Sequence, residues 1–150
     1  MSNYMLIMRT VDEAAANQAM ADAGIDFDKM IETMGRFNEE LLAAGALVAA
    51  EGLDDAANGV VVDYSVTPPV VTDGPYGDTK ELFNGYWIID VATKEEAVAW
   101  ALKVPAGVGV KTEIRRIPSI DEFPSDNEYI AREKEWRKEL IRRQAEKLGA

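Results

Sequence analysis

The chain has 150 residues, 47% of them hydrophobic, which is enough for one ordinary domain with a real core and argues against wholesale disorder. It contains no cysteine and no histidine, so disulfides, thiolate nucleophiles, Cys-based metal sites and the commonest general base are excluded. The net charge is −11, and it is unevenly placed: residues 1–125 hold 21 acids against nine bases, whereas residues 126–150 hold six acids and seven bases. Such a body repels phosphate, so nucleic acid is not an expected partner.

In chain order, Asn3 to Arg9 (NYMLIMR) is a short apolar run that predicts a first strand. Residues 10–25 are rich in alanine but have poor apolar periodicity, and the expectation is an excursion with a helical turn. Phe27, Met30, Ile31, Met34, Phe37 and Leu41 then recur at helical spacing. Asp26 is placed as an N-cap and Gly45 as the glycine past the C-terminus, which predicts a helix over about 26–44. Residues 46–53 (ALVAAEGL) predict a second strand. Residues 59–66 (GVVVDYSV) and 70–73 (VVTD) predict a hairpin turned through Pro68 and Pro69.

A glycine- and proline-rich loop, VTDGPYGDTKELFN, leads into GYWIIDVA, a β-rich run over 85–92. Thr93 to Glu96 has capping-box spacing, with Ala97, Val98, Ala101 and Leu102 as the expected apolar face of a helix that Pro105 ends. VKTEIRRI, residues 110–117, is the last strand. With the small hairpin set aside the order is β-α-β-β-α-β, the ferredoxin-like α+β arrangement. One sheet with helices on one face leaves its other face uncovered. Leu6, Met8, Ile88, Ile89, Val110 and Ile114 are too apolar for both faces to be wet, so a homodimer forming an α+β barrel is expected. Ser125 to Glu128 is a second capping-box pattern opening a C-terminal helix with a narrow apolar stripe. That helix lies either on its own subunit or across a partner. The domain division is 1–118 for the ferredoxin-like domain and 119–150 for the helical extension.

Within the loop, Pro75 fixes φ and pushes Gly74 out of the α region. Asp73 cannot cap Pro75, which has no N–H, so its carboxylate reaches Tyr76 or Gly77 or keeps free lone pairs. A carboxylate on a stiff backbone at a barrel mouth suits a general base, although carboxylate caps in such loops are common. Glu51, at the end of the second strand, and Tyr86 are the other candidates; Tyr86 and Trp87 must point to opposite faces. Arg9 and Arg115 need acids if buried, and a polar pocket of Asp73, Glu51 and one arginine would hold a small polar molecule.

The combination RFNEELLAAGAL, EGL, VTDGPYGDTKE, GYWIIDVATKEEAVAWALKVP and TEIRRI resembles the YCII-related proteins of the DGPF type over residues 36–117, plus the first strand. The resemblance implies a ferredoxin-like subunit and a dimeric α+β barrel. Some related members are similar to small-molecule enzymes such as chloromuconolactone dehalogenases, and others are fused to sigma factors. The His–Asp pair suggested for simple members is not carried over, because this chain has no histidine. Tyr76 stands where the family motif has phenylalanine, and Asp78 where it usually has glutamate.

Two functions follow. The favoured one is a homodimeric module that binds a small molecule or another protein, with the loop as scaffold. The alternative is an isomerase- or lyase-like enzyme in which Asp73 moves a proton, assisted by Glu51 or Tyr86. The expected partners are a second copy of the chain and a small polar metabolite. No cofactor, metal or membrane is expected, and the expected location is cytoplasmic.

Overall fold

The computed structural model describes residues 1–77 and 80–149; Asp78, Thr79 and Ala150 lie outside the described residues. The chain divides into two compact units, Met1–Ile117 and Pro118–Ala150. In the first, strands β1 (Ser2–Thr10), β2 (Leu47–Gly52), β5 (Leu82–Val91) and β6 (Val110–Ile117) form one antiparallel sheet in the order β2-β5-β1-β6. Strands β3 (Val60–Asp63) and β4 (Val70–Asp73) form a separate hairpin. Asp63 steadies the hairpin turn by accepting the Ser65 N–H at 2.8 Å. Hydrogen bonding from Ser65, side chain first and then backbone, also pulls the Asp63 carboxyl below its ordinary value.

Helices α2 (Phe27–Ala43) and α3 (Lys94–Ala101) cover one face of the sheet. Strand parity sends Tyr4, Leu6, Trp87, Ile89 and Val91 to that face, where Phe37 and Leu41 of α2 and Ala97 of α3 meet them. Phe37 stands edge-on to Trp87 at 5.3 Å between ring centres. The Trp87 indole N–H donates to the Asn38 side-chain oxygen at 2.7 Å, so the one polar atom of that ring is satisfied. Asp26 caps α2 through the Lys29 N–H, and Gly45 follows the helix at φ +68°, as expected.

Several expectations are corrected. Residues 13–22 form a regular helix, α1, capped by Asp12 through the Ala15 N–H. None of its residues is buried, which is why its apolar periodicity is poor. The packed face of α3 is Ala97, Trp100 and Ala101, while Leu102 is 82% exposed. Strand β5 begins at Leu82, three residues before the GYWIID run. Of the apolar strand residues cited, Leu6, Met8, Ile89 and Ile114 belong with the helix-side core, and Ile88 faces the other way. That second face also carries Met5, Ile7 and Tyr86, of which Ile7 is buried and the others half-buried.

In the second unit, α4 (Glu128–Lys147) is capped by Asn127 through the Tyr129 N–H, so the cap falls two residues after the expected Ser125. Its surface is laced by i,i+3 and i,i+4 ion pairs, including Arg132–Glu128, Arg137–Glu133 and Arg143–Glu139. Lys134 ties the helix to Asp121 at 2.6 Å. No helix among the described residues is long and apolar enough to cross a membrane.

Candidate functional site

Beside the core lies a cleft of about 780 Å³, within the volume range of small-molecule sites. Its walls come from α1, α2, the ends of β1 and β5, the segment after β2 and the segment before β6. The lining is mainly apolar. Four of the six methionines, Met8, Met20, Met30 and Met34, converge there, and their flexible thioethers suit a wall that adapts to its contents. The apolar stripe of α2 explains part of this. Its C-terminal half, Phe37 and Leu41, fills the core; Met34 bridges core and cleft; Met30 faces the cleft.

A β-bulge shapes the mouth. Met8 pairs with Gly85 but Arg9 pairs with Phe83, so Asn84 is the extra residue. The bulge breaks the alternation and lets both Leu82 and Asn84 reach the cleft. The Asn84 side-chain amide donates to the Thr10 hydroxyl oxygen, and its backbone carbonyl accepts the Leu53 N–H at 2.8 Å. Strand ends β1, β2 and β5 are thereby gathered at one place, together with Asp54 and Asp55.

The opposite wall depends on Gly109. Its φ is +83°, and its carbonyl accepts the N–H groups of Val11 and Asp12 at 2.8 and 3.2 Å. A Cβ at this position would stand 2.3 Å from the Asp12 carbonyl oxygen and 2.8 Å from the Ala16 nitrogen. The start of α1 is therefore seated directly on this glycine.

The residues expected from sequence fall elsewhere. Asp73 is the exposed last residue of β4, paired with Val60, and does not line the cleft. Among the described residues, nothing donates a hydrogen bond to its carboxylate; the Gly74 N–H bonds instead to the Gly59 carbonyl at 2.9 Å. Glu51 and Tyr86 are brought together as cross-strand partners. Tyr86 is half-buried, with its ring 6.2 Å from Phe83, and Glu51 is exposed. Arg9 pairs with Glu113 through two nitrogens at 3.1 and 3.2 Å, and Arg115 approaches the same acid at 3.8 Å. The two strand arginines thus share Glu113. No ion pair joins either to Asp73 or Glu51 among the described residues. No group of three or more acids is placed to hold a metal ion among those residues.

Sequence reasoning missed the cleft because it left α1 as an excursion. Two signals pointed to it: the apolar stripe of α2 runs on past what the core needs, and methionine is concentrated in the first 34 residues.

The sheet order, the helices on one face and the extra hairpin define a ferredoxin-like α+β domain, here with a cleft between the sheet end and α1–α2. The chain belongs to the YCII-related domain family, whose model matches residues 3–118. Comparison with curated proteins finds no match.

Proposed function

We propose that the protein is a homodimeric binding protein for a small molecule with a substantial apolar body, held in the methionine-lined cleft. The observation that carries this reading is the cleft itself: about 780 Å³ of space beside a well-packed core, with Thr10 and Asn84 as polar groups at its mouth. Its apolar lining favours a larger, less polar ligand than the small polar metabolite expected from the loop. The dimer is supported by the second face of the sheet, where Met5, Tyr86 and Ile88 lie outside the core cluster and are half-buried, and Phe83 is 38% exposed. A dimer would run at twice the 16.5 kDa chain mass in light scattering, and Ile88→Lys would return it to the monomer.

The test of the binding reading is a thermal-shift screen of metabolites on three proteins: wild type, Ala19→Trp and Asp73→Asn. Ala19 lies on the cleft wall of α1, so a tryptophan there fills the space. A ligand that stabilises wild type and Asp73→Asn but not Ala19→Trp supports the cleft. A ligand lost only in Asp73→Asn moves the site to the loop and favours the enzyme reading, with Asp73 as the proton carrier and Glu51 or Tyr86 assisting. A wild type that no compound stabilises refutes the binding reading.

A further inference from the structure

We infer that the cleft selects a cationic ligand: an amine or quaternary ammonium group on an apolar body. This rests on the binding reading above and adds the sign of the ligand's charge. Three carboxylates line the cleft, Glu13, Asp54 and Asp55, and among the described residues no lysine or arginine does. The topology puts them at the same end of the sheet as the polar mouth. Glu13 opens α1 just after β1 ends at Thr10, and Asp54 and Asp55 follow Leu53, which is bonded to Asn84.

Two of the acids are held in place by the backbone. Asp54 accepts the Asp55 N–H at 2.7 Å and the Asn58 side-chain amide at 3.1 Å; Asp55 accepts the Ala57 N–H at 2.9 Å. Each carboxylate keeps further lone pairs, and none is neutralised by an ion pair among the described residues. Asn84 spends its amide on Thr10, which leaves its carbonyl oxygen free to accept from an ammonium group. The protein as a whole carries −11, so the field at the mouth adds to the same sign. An anionic head group meets three carboxylates there and no lysine or arginine among the described lining residues. An amine, protonated at neutral pH, gains attraction while its body replaces water along the methionines.

The experiment compares three molecules with one body and three heads: phenylbutylamine, phenylbutanol and phenylbutyrate. Dissociation constants are measured by NMR titration on the full chain at low and high salt. The amine should bind about tenfold tighter than the alcohol at low salt, and the butyrate weakest. Salt should narrow the spread, because the acids lie at the solvent edge. The variant Glu13→Gln/Asp54→Asn/Asp55→Asn should lose the amine's advantage and keep the alcohol's affinity; asparagine still caps the turn at residue 55. Ala19→Trp should lose both.

Butyrate binding as tightly as the amine would overturn the charge selection and leave the cleft standing. So would an amine advantage that survives in the triple variant. Binding of the alcohol that is indifferent to Ala19→Trp, or no binding of any of the three, would remove the cleft as the site and the inference with it.

Discussion

Gly109→Ala should unseat α1 and close the cleft's wall, and the size of the effect can be built from two parts. The first is conformational: at φ +83° an L-residue is disfavoured by about 1–2 kcal/mol, offset by about 0.4–1 kcal/mol from the stiffer unfolded chain. The second is steric. The new methyl would lie 2.3 Å from the Asp12 carbonyl oxygen and 2.8 Å from the Ala16 nitrogen, both backbone atoms that cannot swing aside. Overpacking of this kind costs about 1–3 kcal/mol. Gly24→Ala is the comparison, because Gly24 also has positive φ, +65°, but nothing within 4 Å of its Cβ position. Urea unfolding of the two variants should differ by about the steric part, about 1–3 kcal/mol, with Gly109→Ala the weaker protein. Gly109→Ala should also lose cleft ligands that Gly24→Ala retains. Equal stability of the two variants would refute the seating of α1 on Gly109.

Three other outcomes are expected. Leu41→Ala, at a position 0% exposed in the middle of the core, should cost about 2–5 kcal/mol in urea unfolding without altering the sheet's circular dichroism. Asn38→Leu should cost about 1–3 kcal/mol by leaving the Trp87 indole N–H unpaired, and Trp87→Phe in the same protein should cost less than in wild type, as a double-mutant cycle would read. In α4, hydrogen bonds from Arg142 and then Arg143 hold the Glu139 carboxyl at about 2, below its ordinary 4.5. A depressed carboxyl stabilises the folded form above its unfolded value and loses that contribution as pH falls, so helicity at 222 nm (about the amide band minimum) should decline between about pH 4.5 and 2. Glu139→Gln should flatten that decline.

What could be read from the sequence and what could not divide along physical lines. The core strands, α2 and the β-α-β-β-α-β order were legible because each buries one face, and burial writes a period into the residues: Phe37 and Leu41 along a helix, Trp87, Ile89 and Val91 along a strand. Helix α1 buries no residue, so nothing forced its alanines into a period, and its most specific contact is with a glycine more than 90 positions further on. Which face each apolar strand residue takes was likewise not written in the sequence. Parity tells which residues share a face, but only the partner register says that Leu6, Trp87 and Ile114 share theirs with the helices. The bulge at Asn84 hides further still, since it reverses parity inside one strand and turns Leu82 and Asn84 toward the cleft.

The loop that drew most weight in the sequence did so through glycine, proline and Asp73, residues whose local chemistry is easy to state. Yet a site needs a concavity, and concavity is made by elements distant in sequence. Here it is made by α1 held on Gly109, by an α2 stripe longer than the core requires, and by the bulge that gathers three strand ends. Each of these leaves a trace: a glycine where a backbone must approach, surplus methionines, a broken alternation. The traces acquire meaning only together, and they meet at the cleft rather than at the loop. Substitutions at Ala19, Gly109 and Asn84 should therefore change ligand binding more than substitutions at Asp73, Glu51 or Tyr86. An Asn84→Leu variant makes the sharpest case, because it keeps the bulge's bulk while removing the hydrogen bond to Thr10 and the free carbonyl oxygen. If binding depends on the polar mouth, this variant should weaken an amine about tenfold and an alcohol of the same body by less. Unchanged affinity for both would mean that the apolar wall alone does the recognition.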